Sequence, residues 1–526
     1  MSLTSLSAEI LLKISSYLVH RDRKDLRLTC NALADIIATD VLCGVVIDIQ
    51  IDGGYRYESG RIRPQLDMLR WMGGGANRRV DAIRHLRIKS LSVANDSYLS
   101  KLEPAESEYS EDQDEDDDDD DDVIRVPNDT EEVMHVLIPA LKALRNVQTF
   151  IWDPEPKDPA VLQGIVAEIV SQYPRLEQVV VDLPDVRSPL LSRFKNLRYL
   201  SGFSQSSTEV SRPVMEAFAQ VMAQSQTSLK HFKFNFGLSK MTGRNKLPAF
   251  AFKQCSNSSV VLRLRTLHLE RCVPSKTLVP HLAQLSTLRL LQSPPDFVKS
   301  KKGKRMFENF WSAIKDAGIQ LQHIAVDAAP NSLVAYLKSY AGLKSFKLCK
   351  NSSIDFSVDG IFGSAERFYE EGLVRHYETL NELEISLSWE DKWCFRRTYQ
   401  STISQCRRLK ILGLGLGFRQ LGGDSKWRTP SELLDVEEPN LVFVLLDTIA
   451  IHCPSLKKLT IYAPTPGDSS FGSELMEEKI TGWVPPPGLT PKALPYIRAM
   501  VHCCWEGFTA VYNTDKQGVR YRLSET

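Results

Sequence analysis

A chain of 526 residues that is 43% hydrophobic and 25% charged has room for several domains and the composition of an ordinary globular protein. Its 65 Lys and Arg balance 65 Asp and Glu, but 14 of the acids lie between Glu103 and Asp122 with no basic residue among them. The rest of the chain then carries 65 basic against 51 acidic residues, which argues against a uniformly basic nucleic-acid binder and leaves room for local basic patches. The ten cysteines are scattered without a CxxC pair, too sparse for a disulfide scaffold, and point to a reducing compartment. The start of the chain lacks the basic opening and long apolar stretch of a secretion signal. Leu441 to Ile451, the most apolar later stretch, is about half the length that spans a bilayer and contains Asp447. The expectation is a soluble protein of the cytoplasm, the nucleus or both, with no membrane partner.

Leu6, Ile10, Ile14 and Tyr17-Leu18 recur at the spacing of one helix face, from a helix that begins near Ser7. A polar break from His20 to Asp25 precedes a second periodic run, Leu26, Cys30, Leu33 and Ile37. Helices this short cannot bury all their apolar faces on one another, so the unit must lean on the next domain or on a partner. The order LSAEILLKISSYLVHRDRKDLRLTCNALADI resembles the F-box, with Leu6, Glu9, Ile10, Leu11, Ile14, Tyr17, Leu18, Leu26, Leu28, Cys30 and Leu33 in matching positions. Ser7 stands where that family usually has proline. Serine serves there as a helix start, because its hydroxyl can accept from a free backbone N–H.

Beyond this segment runs a weak internal repeat: apolar, two others, apolar, one other, apolar. Full copies start at Ile83, Val147, Leu176, Leu229, Leu264, Leu285, Leu321, Leu343, Leu380, Leu409 and Leu456, and Leu197-Leu200 is a degraded one. From Val147 on, the intervals run from 21 to 47 residues, against about 20–29 in regular leucine-rich repeats, so the array must be irregular. Between copies, Val161-Ile165-Ile169-Tyr173, Val214-Phe218-Val221, Phe307-Phe310-Ile314, Phe368-Leu373-Tyr377 and Leu441-Leu445-Ile449 have helical spacing. Each unit therefore reads as a helix followed by a short strand. An aromatic or a cysteine often stands three residues before the first anchor: Tyr173, Phe194, Tyr340, Tyr377, Cys406 and Cys453. CRRLKILGL, CPSLKKLTI and LRTLHLERC resemble the cysteine-containing subtype of leucine-rich repeat. A generic α/β domain with leucine-bearing buried strands is the plainer alternative.

The acidic interval, closing on the run Asp116 to Asp122, falls between the first two copies and cannot bury apolar surface, so it reads as a disordered loop. The predicted fold is α/β: a short all-α F-box over 1–45, a linker and first repeat-like unit over 46–102, and the acidic loop over 103–130. An irregular leucine-rich-repeat-like solenoid follows over 131–465, parallel strands lining one face and helices the other, with a capping segment over 466–526.

Candidate chemistry is sparse. Gly413-Leu-Gly-Leu-Gly-Phe418 lacks the Lys-Ser/Thr of a phosphate-binding loop and the third glycine of the dinucleotide spacing, so it reads as a repeat strand whose glycines allow close packing. Gly73-Gly74-Gly75 reads as a flexible loop. His452-Cys453 and His502-Cys503-Cys504 have no second pair at metal-ligand spacing, so no metal is expected, and no nucleophile motif is present. Lys299 to Arg305, five basic residues in seven, reads as a solvated loop with a possible use as a nuclear address or phosphate contact; aromatic interleaving for nucleic acid is absent.

An F-box resemblance implies docking on a Skp-family adaptor and, through it, membership of a cullin–RING ubiquitin ligase. The chain would be a non-catalytic substrate receptor without a cofactor. Leu6, Ser7, Glu9, Ile10, Ile14, Leu18, Leu26 and Leu28 would meet or support the adaptor. An unknown protein substrate would meet the outward strand positions, among them Lys233, His268, Glu270, Lys347, Glu384 and Tyr462. The competing reading is a non-degradative scaffold that engages basic partners through its acidic loop.

Overall fold

In a computed structural model the described residues are 8–18, 22, 43–49, 62–74, 80–91, 130–155, 158–182, 188–204, 212–236, 247–257, 260–293, 300–349, 364–386, 392–417, 440–463, 469–486, 496–501, 507–515 and 518–523. The acidic interval lies outside them. Two compact units emerge: Met1–Leu229 with Gly237–Ser239 and Asn257–Val260, and Lys230–Phe236 with Lys240–Ser256 and Val261–Thr526.

The chain alternates helical segments with short parallel strands, so it is an α/β protein. In the first unit, β1 (Gly44–Ile49), β2 (His85–Leu91), β3 (Thr149–Trp152), β4 (Gln178–Asp182) and β5 (Tyr199–Ser204) pair in sequence order, all parallel. In the second, β6 (His231–Phe236), β7 (Thr266–Glu270), β8 (Thr287–Leu291), β9 (His323–Val326), β10 (Ser345–Cys349), β11 (Glu382–Ser386), β12 (Ile411–Gly415), β13 (Lys458–Ala463) and β14 (Tyr496–Val501) do the same. The antiparallel strands β15 (Gly507–Asp515) and β16 (Gly518–Leu523) end the second unit. Parallel neighbours need a crossover, and the intervening helices supply it.

Every repeat copy found in the sequence falls on a strand, β2 through β13, with the second and third apolar positions buried. The first anchors are buried too, except Leu176, which is half-buried. Helices α1 (Ala8–Tyr17), α2 (Ile62–Gly73), α3 (Thr130–Ala143), α4 (Ala160–Ser171) and α5 (Arg212–Gln224) belong to the first unit. The second holds α6 (Leu247–Asn257, all but its last residue), α7 (Lys301–Asp316), α8 (Asn331–Leu337), α9 (Leu441–His452) and α10 (Ser469–Gly482). Ring contacts tie helices to inward strand positions: Phe232 meets Phe252 at 5.3 Å, and Phe346 meets Phe368 at 4.7 Å.

Three expectations need correction. On α4 the buried stripe is Leu162, Val166 and Val170, whereas Val161 is 57% exposed and Ile165 and Ile169 are half-buried. Both stripes are apolar, so spacing alone could not choose between them. Gly73 ends a helix; a Cβ there would lie 2.8 Å from Pro139 Cβ, so the glycine lets α2 approach α3 closely. Lys301 to Arg305 of the basic run form the start of α7, where Ser300 Oγ accepts from the Gly303 N–H, and Lys299 lies outside the described residues. Cations at the positive end of a helix are unfavourable by tenths of a kcal/mol to about 1 kcal/mol each. Burial of Phe307, Phe310, Trp311 and Ile314 further along α7, each worth about 1.5–3 kcal/mol, outweighs that.

Strands are entered by turns at the anchor residue; several anchors, such as Leu409 and Leu456, bond to local backbone, and at three buried anchors side chains of the next helical segment take over. Leu197 N–H donates to Ser225 Oγ at 3.0 Å, and Ser228 Oγ donates to Leu197 O at 2.9 Å. Leu321 N–H donates to Tyr336 Oη at 3.0 Å while Tyr340 Oη donates to Leu321 O at 2.8 Å. Leu343 N–H donates to His376 Nδ1 at 3.2 Å and Thr379 Oγ1 donates to Leu343 O at 2.8 Å. Spacings of three or four residues put each pair on one helix face. Nδ1 of His376 accepts, so its Nε2–H donates to Leu337 O at 3.1 Å.

Burial pulls the His376 pKa down to about 4 from 6.5, against the hydrogen bond to Leu337 and with Arg375 adding to the fall. The unfolded chain takes up this proton first, so the stability His376 confers is complete above about pH 6.5 and is lost as pH falls towards 4. Asp327 has the opposite sign: burial pushes its carboxyl up to about 6 from 3.8 despite the N–H and hydroxyl of Ser293, so its contribution fades as pH rises through 6. His376→Phe should cost about 1–3 kcal/mol at pH 7, the price of an unpaired Leu343 N–H. It should also flatten the fall in thermal midpoint between pH 6.5 and 4.5. A fall as steep as that of the parent chain would contradict this account.

Candidate interaction face

The outward positions of β6 to β13 form registered rows across the second unit. One row runs Lys233, His268, Arg289, Ala325, Lys347, Glu384, Gly413 and Thr460, one residue per strand. Strand side chains alternate faces, so the buried leucines beside these residues fix them outward. Four of the six residues assigned to a substrate, Lys233, His268, Lys347 and Glu384, stand on this row, and Glu270 and Tyr462 stand two residues beyond it on β7 and β13. All six are half-buried.

Toward β10–β13 the charges neutralise one another. Lys347 Nζ lies 2.7 Å from Glu382 Oε1 and 3.0 Å from Glu384 Oε2, and Ser345 Oγ donates to Glu382 at 2.6 Å. Burial alone would raise the Glu382 carboxyl, but the hydrogen bonds from Lys347 and Ser345 hold it below its ordinary range. Burial would likewise lower the Lys347 ammonium; the two carboxylates reverse that and raise it. Tyr462 Oη donates to Glu384 Oε1 at 2.5 Å, and burial with that carboxylate raises the Tyr462 phenol. Gly413 makes this reach possible from β13 across β12. A Cβ on Gly413 would lie 2.9 Å from Glu384 Cγ and 3.2 Å from Tyr462 Cε2. The glycine run is therefore a strand, and its first glycine clears a path for the ring.

Toward β6–β8 the pattern differs. His268 Nε2 lies 2.8 Å from Glu270 Oε1. The hydrogen bond from His268 lowers the Glu270 pKa against burial, with help from Lys233 and Arg289. Arg289 is exposed on β8, directly beside His268. Sequence reading identified Leu288 and Leu290 on this strand and passed over the arginine between them; the alternation itself was the available signal.

Of the positions expected to meet an adaptor, Glu9, Ile10, Ile14 and Leu18 fall on or just after α1, and Leu6, Ser7, Leu26 and Leu28 lie outside the described residues. Leu11 is buried, Ile14 and Leu18 are half-buried, and Ile10 and Tyr17 are 49% and 80% exposed. Among the described residues no three His, Cys, Asp or Glu side chains converge as a metal site would require, and no helix is long and apolar enough to cross a membrane.

Gly413→Ala should cost about 1–3 kcal/mol by overpacking. Measured by denaturant unfolding, the cost should shrink in a Tyr462→Ala background, where the ring no longer needs the space. Equal costs in both backgrounds would show that the glycine does not serve the tyrosine. No protein-family model matches the chain, and no curated protein matches it in sequence.

Proposed function

We propose that the chain is the substrate-recognition subunit of an SCF-type ubiquitin ligase: an F-box at its start docks a Skp-family adaptor, and a leucine-rich-repeat-like domain holds the protein to be modified. The observation that carries this reading is the order Leu6, Glu9, Ile10, Leu11, Ile14, Tyr17-Leu18, Leu26-x-Leu28-x-Cys30. Ile10 and Tyr17, exposed among the described residues and seven apart on one face of α1, suit such a docking helix. Parallel strands that each carry the repeat triad, with a polar outward face, suit the receptor half of the proposal.

Such a subunit works by proximity. Holding a substrate lysine near an activated ubiquitin carrier turns a bimolecular encounter into one within a complex, and no side chain of this chain needs to touch the reacting atoms.

The test is direct binding of the purified chain to adaptor and cullin. Leu6→Ala with Ile10→Ala removes two aliphatic contacts worth about 1.5–3 kcal/mol each, so adaptor affinity should fall at least about 100-fold while the circular dichroism spectrum stays the same. Unchanged affinity in the folded double variant would overturn the assignment. It would leave the acidic interval at 103–122, and a scaffold for basic partners, as the better account.

A further inference from the structure

The row across the second unit treats its cations unequally. Lys347 is held by two carboxylates within 3.0 Å. Lys233 and Arg289, one strand to either side of His268, form no ion pair or hydrogen bond among the described residues. Glu270 lies near both, and His268 already engages it at 2.8 Å. A half-buried ammonium and a guanidinium two strand spacings apart, about 10 Å between Cα atoms, make a local surplus of positive charge on an otherwise balanced face. Thr266 on β7 and Thr287 on β8 add hydroxyls two residues back on the same face.

From this we infer that the β6–β8 end of the outward face binds an acidic polypeptide segment, its carboxylates bridging Lys233 and Arg289 over His268. The inference deepens the receptor reading and rests on it for the use of this face. Charge complementarity selects the partner: a basic segment would meet two unpaired cations, whereas an acidic one supplies the counter-ions that the chain itself provides to Lys347. No Phe, Tyr or Trp stands in the Lys233–Arg289 part of the row to stack a base, which disfavours single-stranded nucleic acid. A carboxylate pair in extended peptide recurs about 7 Å apart on one face, within reach of both long cationic side chains.

The test uses the full chain and a fluorescein-labelled decapeptide with alternating Glu and Ser, read by anisotropy. The same peptide with Gln for Glu and a single-stranded oligonucleotide of equal charge serve as comparisons. The Glu peptide should bind at least tenfold more tightly than the Gln peptide, and binding should weaken as salt rises from 0.05 to 0.3 M. Lys233→Gln with Arg289→Gln should weaken it at least tenfold. Lys458→Gln, on β13 of the same face, should leave it within twofold. Adaptor binding is measured in parallel and should be the same in every variant. Equal affinity for the two peptides, or no loss in the folded double variant, would overturn the inference. An oligonucleotide that binds as tightly and loses its binding in the same variant would overturn the polypeptide assignment. A chain that binds the Glu peptide but no adaptor would sink the ligase reading and leave the acidic-segment site standing.

Discussion

Short parallel strands reached through buried turns impose one constraint on everything else: the backbone N–H and C=O of each turn must find partners away from water. Ser225 with Ser228, Tyr336 with Tyr340 and His376 with Thr379 meet that demand at Leu197, Leu321 and Leu343. His281 does half of the work at Leu262, accepting its N–H at 3.2 Å. At these four turns the chemistry varies but the geometry does not: a side chain near the end of one helical segment reaches back to the entry of the strand before it. Since an unpaired buried backbone group costs about 1–3 kcal/mol, each such pair fixes how one repeat sits on its neighbour. The aromatic chain Trp311, Tyr336, Tyr340 and His376, with rings 4.9–5.4 Å apart, follows from the same placement.

That constraint also explains the irregular period. Nothing requires the loops between helix and strand to be of one length, provided the anchor and the capping side chain meet. Intervals of 21 to 47 residues between anchors are therefore compatible with one parallel order. Of the residues three before the anchor, Tyr173 reaches back in the same manner, its Oη donating to Leu141 O at 2.7 Å, whereas Cys406 Sγ bonds Thr402 O within its own helical segment at 3.4 Å.

Much of the fold was legible because the repeat triad reports burial directly, so β2 through β13 were locatable from leucine spacing. The strand β1 was passed over although Leu42, Val45 and Ile47 fit the triad, since the helical pattern before it drew the reading away. In β14 the triad Leu494, Ile497 and Ala499 ends in a small residue and hides. The α4 face was misjudged because two adjacent stripes are equally apolar. The candidate face was legible as an alternation, residue by residue, but its electrostatics were not. Which charges neutralise one another depends on neighbours 37 and 78 residues away, as Lys347–Glu384 and Tyr462–Glu384 are.

The antiparallel hairpin that closes the second unit has a consequence for self-association. A parallel array ends in a strand whose outer backbone groups invite another chain, and β14 would be that strand without its successors. Instead β15 pairs antiparallel with it and β16 pairs antiparallel with β15, from Asp515 and Gly518 outward. The final strand carries Arg520 and Arg522, and a second copy approaching edge-on would bring like charges together. Truncation before Gly507 would strip that guard and leave the backbone edge of β14 open to pairing with another chain.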